Sequence, residues 1–320
     1  MRRWYDPSLL HEVAMRTIEG AWWFDPEDSD QRAAILGAMA ASQKKFHVRI
    51  HAFTFMSNHY HAIYGFDDPK TFIRFLGHFH AAVARLVNDR LRRVGPVWAN
   101  RPHAVPILDE PEAQVRRLRY VLGQGVRAGV AAHPLEWKGA SSTGWLLSGS
   151  EPRGRHLDRT ARALCNRNLH EKLAEAEFVQ SLAPELTVLP CFAHLPQDQW
   201  RLHVSAIADE IAVEAVDCLA PDTCRAPGDG AVSKSPPPKR KRPARVHAAG
   251  PASAMAYRAA RKEFDRACAD ARLQQVAAAQ RAALGKRAAY VVFPHWAFPP
   301  APPWVLQVEV RDRKDNNINE

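Results

Sequence analysis

The strongest constraint on the fold is the order in which hydrophobic periodicity changes along residues 13–129. Segments rich in β-branched and aromatic residues alternate with segments whose apolar residues recur at helical spacing. The predicted strands are residues 13–24, 46–55, 59–66 and 97–108. The predicted helices run to Lys45 with Ser29 or Asp30 as N-cap, from Pro69 to about Arg93, and from Pro111 to residues 125–129. This βαββαβα order predicts an α+β fold, a ferredoxin-like split-βαβ antiparallel sheet with one added helix.

Composition divides the chain into four segments. Residues 1–148 carry the dense periodicity and form the first predicted domain, and residues 149–225 form a predicted, mainly helical extension. Residues 226–253 are a basic, Pro-rich linker containing PPPKRKRP, predicted to be disordered. This linker is either a tether for nucleic acid or a solubilising spacer. Residues 254–320 are predicted to hold a helix to about Gly285, a short strand at 289–293 and a polar tail.

The charge balance is strongly basic, since 44 Lys and Arg residues outnumber 34 Asp and Glu residues and give a net charge of +10. This balance favours a polyanionic partner, nucleic acid ahead of an anionic membrane. No apolar run has the length of a spanning helix, and the N-terminal residues lack a signal-peptide core. We therefore expect a cytoplasmic protein without a membrane partner. The five cysteines form no CxxC pair, which argues against a zinc ribbon and a disulfide framework.

Two histidines, His59 and His61, lie two residues apart in the third predicted strand. Their imidazoles should leave the same face of the sheet, about 7 Å apart along the chain. Such a pair can bind one divalent metal ion, or it can consist of strand histidines with ordinary hydrogen bonds. A second triplet, His78-Phe79-His80, lies in a predicted helix. There the two side chains point about 200° apart, so this triplet should not chelate a metal.

The last predicted helix of the first domain holds Tyr120 and Gln124, which are four residues apart. Residues at this spacing share one helical face. A phenol that can attack an electrophile and an amide oxygen that can complete a metal shell would then border the same cleft. The alternatives are a core tyrosine with a satisfied hydroxyl and a plain surface amide.

Three segments together resemble the single-tyrosine transposases. MSNHYHAIY at residues 56–64 resembles the HUH motif, in which two histidines flank a hydrophobic residue. LRYVLGQGVRAGV at residues 118–130 resembles the helix that carries the nucleophilic tyrosine, and GPVWANR at residues 95–101 resembles the segment that leads into the preceding strand. The resemblance covers about residues 8–146 and is strongest to the REP-associated tyrosine transposases.

The resemblance implies an HUH endonuclease fold and assigns roles by position. His59 and His61 match the metal-binding histidines, and Tyr120 matches the nucleophile. Gln124 stands where the family has an amide residue, often Asn followed by Pro; here the pair is Gln124-Gly125. The implied cofactor is Mg²⁺ or Mn²⁺, which polarises a phosphoryl oxygen. The implied substrate is single-stranded DNA with hairpin structure, joined to Tyr120 through a 5′-phosphotyrosine before strand transfer by a monomer or homodimer.

Arginines near the predicted site are candidate contacts to DNA phosphates. They are Arg116, Arg117 and Arg119 on the helix of Tyr120, and Arg85, Arg92 and Arg93 at the end of the preceding helix. The alternative is a solvated basic face. Trp22, Trp23 and Trp98 can stack on bases, although packing in the core or on the sheet is the commoner use of tryptophan.

The sequence thus predicts a metal-dependent DNA endonuclease and strand-transferase that uses Tyr120. One alternative is a domesticated, non-cleaving protein that binds or regulates DNA. Another is a phosphoesterase with metal-activated water, in which Tyr120 would be dispensable. A covalent protein–DNA adduct distinguishes the first hypothesis from both others.

Overall fold

A computed structural model describes residues 3–99, 101–167, 173–218, 244–285, 291–295 and 297–298. The described chain forms two compact units. The larger comprises residues 7–241 and 247–249, and the smaller comprises residues 1–6, 242–246 and 250–320, each within the described ranges. Residues 219–243, which include positions 226–243 of the predicted linker, lie outside the described residues. The prediction of disorder is wrong for the rest of the linker, because His247 forms a bridge to Ile107 and a helix begins at Pro251. No helix in the described ranges is both long enough and apolar enough to cross a bilayer.

The described elements follow in chain order. The strands are β1 (Arg3–Trp4), β2 (Leu10–Arg16), β3 (Arg49–Met56), β4 (His59–Gly65), β5 (His103–Ile107), β6 (Gly154–Leu157), β7 (Val179–Leu182) and β8 (Ala297–Phe298). The α-helices are α1 (Ser29–Phe46), α2 (Pro69–Arg90), α3 (Pro111–Leu122), α4 (Gln124–Arg127), α5 (Thr143–Ser148), α6 (Arg159–Arg167), α7 (Gln197–Cys218) and α8 (Pro251–Ala283).

The centre of the larger unit is a four-stranded antiparallel sheet with the order β3-β4-β2-β5. Together with its helices it makes this unit a mixed α and β structure. The strands β3 and β4 are joined by the short turn at Ser57-Asn58. Their register places His61 opposite Thr54 on β3 and Ala14 on β2. The two histidines of the HxH motif therefore lie on a central strand, with a strand hydrogen-bonded on each side.

One face of this sheet, the aromatic face, packs against α2. Its core is built from fully buried rings: Phe53, Phe55, Tyr60, Tyr64, Phe72, Phe75 and Phe79. Phe79 of α2 meets both Phe55 and Tyr60 edge to face, with centroids about 6 Å apart. Asp68 caps α2 by accepting hydrogen bonds from Thr71, and Pro69 occupies its first turn. The helix therefore begins where the sequence predicts.

The other face, the site face, packs against α3 and α5, and α7 packs on these two helices. Its core contains buried aliphatic residues from the sheet and from α3: Leu10, Ala52, Ile63, Ile107, Leu118, Val121 and Leu122. Ile207 and Ile211 of α7 join the same cluster. Helix α3 therefore lies across the face that carries His59 and His61, with its charged side away from the core.

Two predicted strands are shorter in the structure. The strand predicted at residues 13–24 is wrong beyond Arg16, because the chain turns at Thr17, whose hydroxyl donates to the carbonyls of Ala21 and Asn58. A 3₁₀ turn follows, with Glu19 at a φ of 57°. The strand predicted at residues 97–108 is confined to β5, and only Trp98 bridges to Thr17 before it. The N-cap of α1 is Asp28, since its carboxylate accepts from two amides of the first turn.

The C-terminal segments also differ in detail from the predictions. Helices α6 and α7 are accompanied by the antiparallel pair β6 and β7, which the helical pattern did not indicate. In the smaller unit α8 begins at Pro251, and Trp4 stacks on both Tyr257 and Phe264. The strand predicted at residues 289–293 is wrong at 291–293, which have no regular structure, while 289–290 lie outside the described residues.

Candidate active site

Strand β4 presents His59 and His61 on the site face of the sheet. Because alternate residues of a strand point to the same face, the buried Tyr60 between them points to the aromatic face. The two imidazole rings stand nearly perpendicular, with their centroids 5.3 Å apart. The strand period thus places both side chains at one location.

A hydrogen bond at Nδ1 orients each imidazole. His59 Nδ1 lies 2.6 Å from Oδ1 of Asn58, in the turn before β4. His61 Nδ1 lies 2.8 Å from Oε1 of Glu12 on β2. Since both partner oxygens accept hydrogen bonds, each Nδ1 donates, and the neutral imidazole keeps a lone pair on Nε2. Metal-binding imidazoles are commonly oriented in this way by a partner at the other ring nitrogen.

The environment of His59 favours the neutral imidazole. Burial, reinforced by the neighbouring His61, lowers the pKa of His59 to about 4. The ring therefore carries one proton near neutral pH, and that proton is donated to Asn58. The lone pair on Nε2 is available to a ligand.

Tyr120 and Gln124 contact the histidines from the helical layer on the site face. The Tyr120 ring packs edge-on against the ring of His61, with centroids 5.0 Å apart. Helix α3 ends at Leu122, and α4 continues from Gln124 after Gly123. The Gln124 amide donates from Nε2 to the carbonyl of Tyr120, and its Oε1 lies 3.4 Å from Nε2 of His59.

Glu12 links several parts of the site, although sequence reasoning did not single it out. Its buried carboxylate contacts His61 through Oε1, and Arg117 and His247 through Oε2 at 2.8 and 2.6 Å. Burial acts to raise the pKa of Glu12, but these neighbours outweigh burial and hold the pKa well below its usual range. Glu12 is therefore an anion near neutral pH.

Two guanidinium groups lie over the Tyr120 ring. The Cζ atom of Arg117 is 4.0 Å from the ring centroid, and that of Arg127 is 5.1 Å away. Both contacts are within the range of cation–π interactions. Arg117 was predicted as a DNA contact, whereas Arg127 was not. Two guanidinium groups thus lie beside the Tyr120 ring, and one of them, that of Arg117, also pairs with Glu12.

The other predicted arginines have different surroundings. Arg119 pairs with Glu210 and Glu214 of α7, and Arg116 donates to backbone carbonyls of Ala248 and Ala249.

Arg93 donates to Asn88 and lies over the Trp23 ring, while Arg85 and Arg92 are exposed. Arg85 lies on α2, the helix of the aromatic face, and therefore on the opposite layer from the histidines. Trp98 packs with Phe24 and donates its indole N–H to the His80 carbonyl, a structural use, whereas Trp22 is exposed.

The second triplet does not form a pair. His78 Nδ1 meets the Ser42 hydroxyl at 2.9 Å, whereas His80 Nε2 meets the Tyr60 hydroxyl at 2.6 Å. The two imidazoles thus point to different partners, as the helical period predicts.

The residues of the first triplet fit a divalent cation. Because Nδ1 of His59 donates to Asn58 and Nε2 of Gln124 donates to Tyr120, two electron-pair donors face each other: His59 Nε2 and Gln124 Oε1. Two acceptors at 3.4 Å repel unless a cation or a proton lies between them. The described residues contain no cluster of three His, Cys, Asp or Glu side chains suited to a metal ion. A site here would use two imidazoles and one amide.

The Gln124-Gly125 departure from the family pattern has a local physical reason. A Cβ atom at Gly125 would lie 3.2 to 3.3 Å from three atoms of Trp137. That indole donates to the Phe55 carbonyl at the end of β3 and so has little freedom to move. The contact with Trp137 therefore favours glycine at position 125.

Comparison with solved structures shows a weak structural similarity. No known family model matches the chain, and no curated protein matches it. Among solved structures, a REP-associated tyrosine transposase bound to a REP hairpin aligns over 61% of this chain and 98% of its own, at 12% identity and a TM-score of 0.35. A TM-score of this size does not establish a shared fold, so the functional argument depends on the site residues.

Proposed function

We propose that this protein is a metal-dependent DNA endonuclease and strand-transferase of the single-tyrosine transposase type. Tyr120 is the nucleophile, and single-stranded DNA with hairpin structure is the substrate. The observation that carries the proposal is the contact of the Tyr120 ring with His61, 5.0 Å between centroids, while Gln124 Oε1 lies beside His59. The candidate nucleophile and the candidate metal ligands thus lie side by side.

The topology supports this proposal. The strand order β3-β4-β2-β5, with α1 between β2 and β3 and α2 between β4 and β5, is the order expected for a split-βαβ sheet. The added helix α3 lies on the site face and carries Tyr120. In this arrangement a central strand carries the two candidate histidine ligands and a separate helix carries the candidate nucleophile.

The residues available for a cation are His59 and His61 through Nε2, and Gln124 through Oε1. A bound Mg²⁺ or Mn²⁺ would supply charge that polarises a nonbridging phosphoryl oxygen. All three side chains are neutral ligands, so they would leave the charge of the ion undiminished for the phosphate. Glu12 would hold His61 in the required tautomer.

The chemistry is a transesterification. Tyr120 Oη forms a bond to phosphorus, the bond from phosphorus to the 3′ oxygen breaks, and the phenolic proton is lost while the leaving oxygen gains one. The products are a 5′-phosphotyrosine and a free 3′-hydroxyl. One phosphoester bond is broken and one is formed, so the number of phosphoester bonds is unchanged. Attack by a different 3′-hydroxyl on the phosphotyrosine then releases Tyr120 and joins the strands. Arg117 and Arg127 would stabilise charge on the phosphate.

The six predicted phosphate contacts remain part of this proposal, and their surroundings differ. Arg117 lies next to Tyr120 and pairs with one carboxylate, that of Glu12, whereas Arg85 and Arg92 are exposed to solvent. Arg119 would have to leave two glutamates before it could bind a phosphate. We therefore expect Arg119 to contribute least to DNA affinity.

The test is a covalent adduct with DNA. The purified chain is incubated with Mn²⁺ and a hairpin oligonucleotide labelled on the 3′ side of the scissile phosphate, and the mixture is resolved on a denaturing gel. Wild-type protein should carry the label, and Tyr120→Phe should not, because it removes only the nucleophilic oxygen. Tyr257→Phe, in the smaller unit, is the matched control and should form the adduct.

Other outcomes would select the alternatives. Binding of the hairpin without any adduct or cleavage would indicate a non-cleaving DNA-binding protein. Cleavage retained in Tyr120→Phe would indicate hydrolysis by metal-activated water and contradict the tyrosine mechanism.

A further inference from the structure

A short segment near the end of the predicted linker, residues 247–249, belongs to the larger unit. The His247 amide donates to the Pro106 carbonyl, and the Leu108 amide donates to the His247 carbonyl, each at 2.9 Å. His247 thereby pairs in parallel with Ile107 at the free edge of β5. The segment therefore extends the central sheet by one residue pair, far along the chain from the strands that it joins.

The same segment holds the beginning of helix α3. Arg116 donates to the carbonyls of Ala248 and Ala249, and the Ala249 amide donates to the Glu110 carboxylate. Glu110 is the residue at which α3 begins. The segment thus connects the edge of the sheet to the helix that carries Tyr120.

The side chain of His247 reaches the buried carboxylate in the centre of this region. Its Nε2 lies 2.6 Å from Glu12 Oε2, at ion-pair distance but without the alignment of a hydrogen bond. The other oxygen of Glu12 contacts His61, and Arg117 also contacts Oε2. The side chain of Glu12 is 6% exposed, so these contacts replace water as its partners.

We propose that His247 is a positioning residue that holds Glu12 in place for the strand-cleaving site described above. The inference rests on that proposed function. Three partners hold the Glu12 carboxylate. His61 contacts one oxygen, and Arg117 and His247 contact the other. Glu12 in turn fixes the tautomer and ring orientation of His61. The site is therefore completed only when residues 247–249 lie against β5 and α3.

The consequence is a measurable effect of a distant residue on metal affinity. Without His247, Glu12 keeps Arg117 as its partner on Oε2 and can turn toward it, which weakens the restraint on His61. Partners of metal-binding histidines commonly affect metal affinity by 10- to 100-fold. Because His247 acts through Glu12, we expect the lower end of this range.

The experiment measures Mn²⁺ binding to the full chain by calorimetry, without DNA. We expect His247→Ala to raise the Kd for Mn²⁺ about 10-fold, and Glu12→Gln to raise it more. His247→Gln keeps a donor at the reach of Nε2 and should restore the affinity to within about twofold of wild type. His194→Ala, an exposed histidine outside these contacts, is the control and should bind as wild type does.

Each remaining outcome has one meaning. If wild-type protein binds no Mn²⁺, or if His61→Ala leaves its affinity unchanged, the proposed function fails and the inference fails with it. If His61→Ala abolishes binding while His247→Ala matches His194→Ala, only the positioning role is overturned. Equal losses in His247→Ala and His247→Gln, together with a lower melting temperature in both, would assign His247 to folding and also overturn it.

Discussion

The two HxH triplets of this chain carry the same residue types in opposite arrangements. On β4, His59 and His61 meet with their ring centroids 5.3 Å apart. On α2, His78 turns to Ser42 while His80 turns to Tyr60. A period of two residues places side chains i and i+2 together, whereas a period of 3.6 residues separates them. The backbone conformation therefore decides whether two histidines can act on one ligand.

The surroundings of the triplets differ as well. The β4 pair is half-buried, and each ring has its hydrogen-bond partner at Nδ1, which leaves Nε2 for another ligand. His80 is buried among aromatic rings, and burial lowers its pKa to about 3. The first triplet has the environment of a binding site, and the second has the environment of a core.

The largest expected effect is a difference in DNA cleavage between variants of the first triplet and a variant of the second. His59→Ala or His61→Ala should reduce metal-dependent DNA cleavage by at least about 100-fold, because either change removes a candidate ligand. His78→Ala should leave cleavage within about twofold of wild type, since it loses one hydrogen bond to Ser42 on the other layer. The measurement is the initial rate of adduct formation at saturating Mn²⁺. Equal losses of the adduct-formation rate in all three variants would contradict a specific role for the β4 histidines.

The second prediction concerns stability. His80→Ala leaves a cavity and removes the partner of the buried Tyr60 hydroxyl, so it should lower the free energy of unfolding by about 2 kcal/mol. His59→Ala should cost about 1 kcal/mol or less, because its ring is partly exposed. Urea unfolding at neutral pH compares the two variants. A larger cost at His59 would show that the strand pair is structural.

The third prediction uses pH. His80 has a folded-state pKa of about 3 against an ordinary value of 6.5, so the unfolded chain takes up the proton first. Stability is therefore full above pH 6.5 and is lost progressively as the pH falls toward 3. From pH 7 to pH 5.5 the loss due to His80 should be about 1 kcal/mol.

His80→Gln provides the comparison for this pH effect. A glutamine side chain does not titrate and can still bond to the Tyr60 hydroxyl. The difference between the wild-type and variant unfolding free energies should shrink on acidification over the same interval. If the unfolding free energies of the two proteins depend on pH in the same way, the low folded-state pKa of His80 is contradicted.

The smallest expected effect tests the amide at position 124. Gln124→Ala should raise the Mn²⁺ concentration needed for half-maximal cleavage about fivefold, because one neutral oxygen ligand is lost. Gln124→Asn, the residue common in the similar family, should lie between Gln124→Ala and wild type, since its shorter side chain keeps the oxygen but shortens its reach. DNA affinity without metal should be the same in all three proteins. An unchanged Mn²⁺ requirement in Gln124→Ala would leave a site of two histidines.

Much of the central region follows from the sequence by itself. Local periodicity and turn residues locate β3, β4 and the start of α2, because these signals act within a few residues. They also put His59 and His61 on one face and bring Tyr120 within one turn of Gln124. Their joint role in catalysis remains a prediction that the adduct experiment addresses.

The sequence-based predictions differ from the structure where contacts with distant segments determine the local conformation. Residues 17–24 are as β-prone as a strand, but Thr17 bonds to Asn58, and Ile18 bonds to Val97, so the chain leaves the sheet. The run of arginines on α3 gave no sign that Arg119 would pair with two glutamates of α7. Charge alone does not distinguish a phosphate contact from an internal ion pair.

The sequence by itself determined which residues could perform chemistry, since strand and helix periods act over a few residues and are readable along the chain. Only the tertiary structure decided which residues support them. Glu12 reaches His61 from the neighbouring strand β2, and His247 reaches Glu12 from the predicted linker. These contacts depend on packing between segments that are far apart in sequence, so no local hydrophobic pattern predicts them.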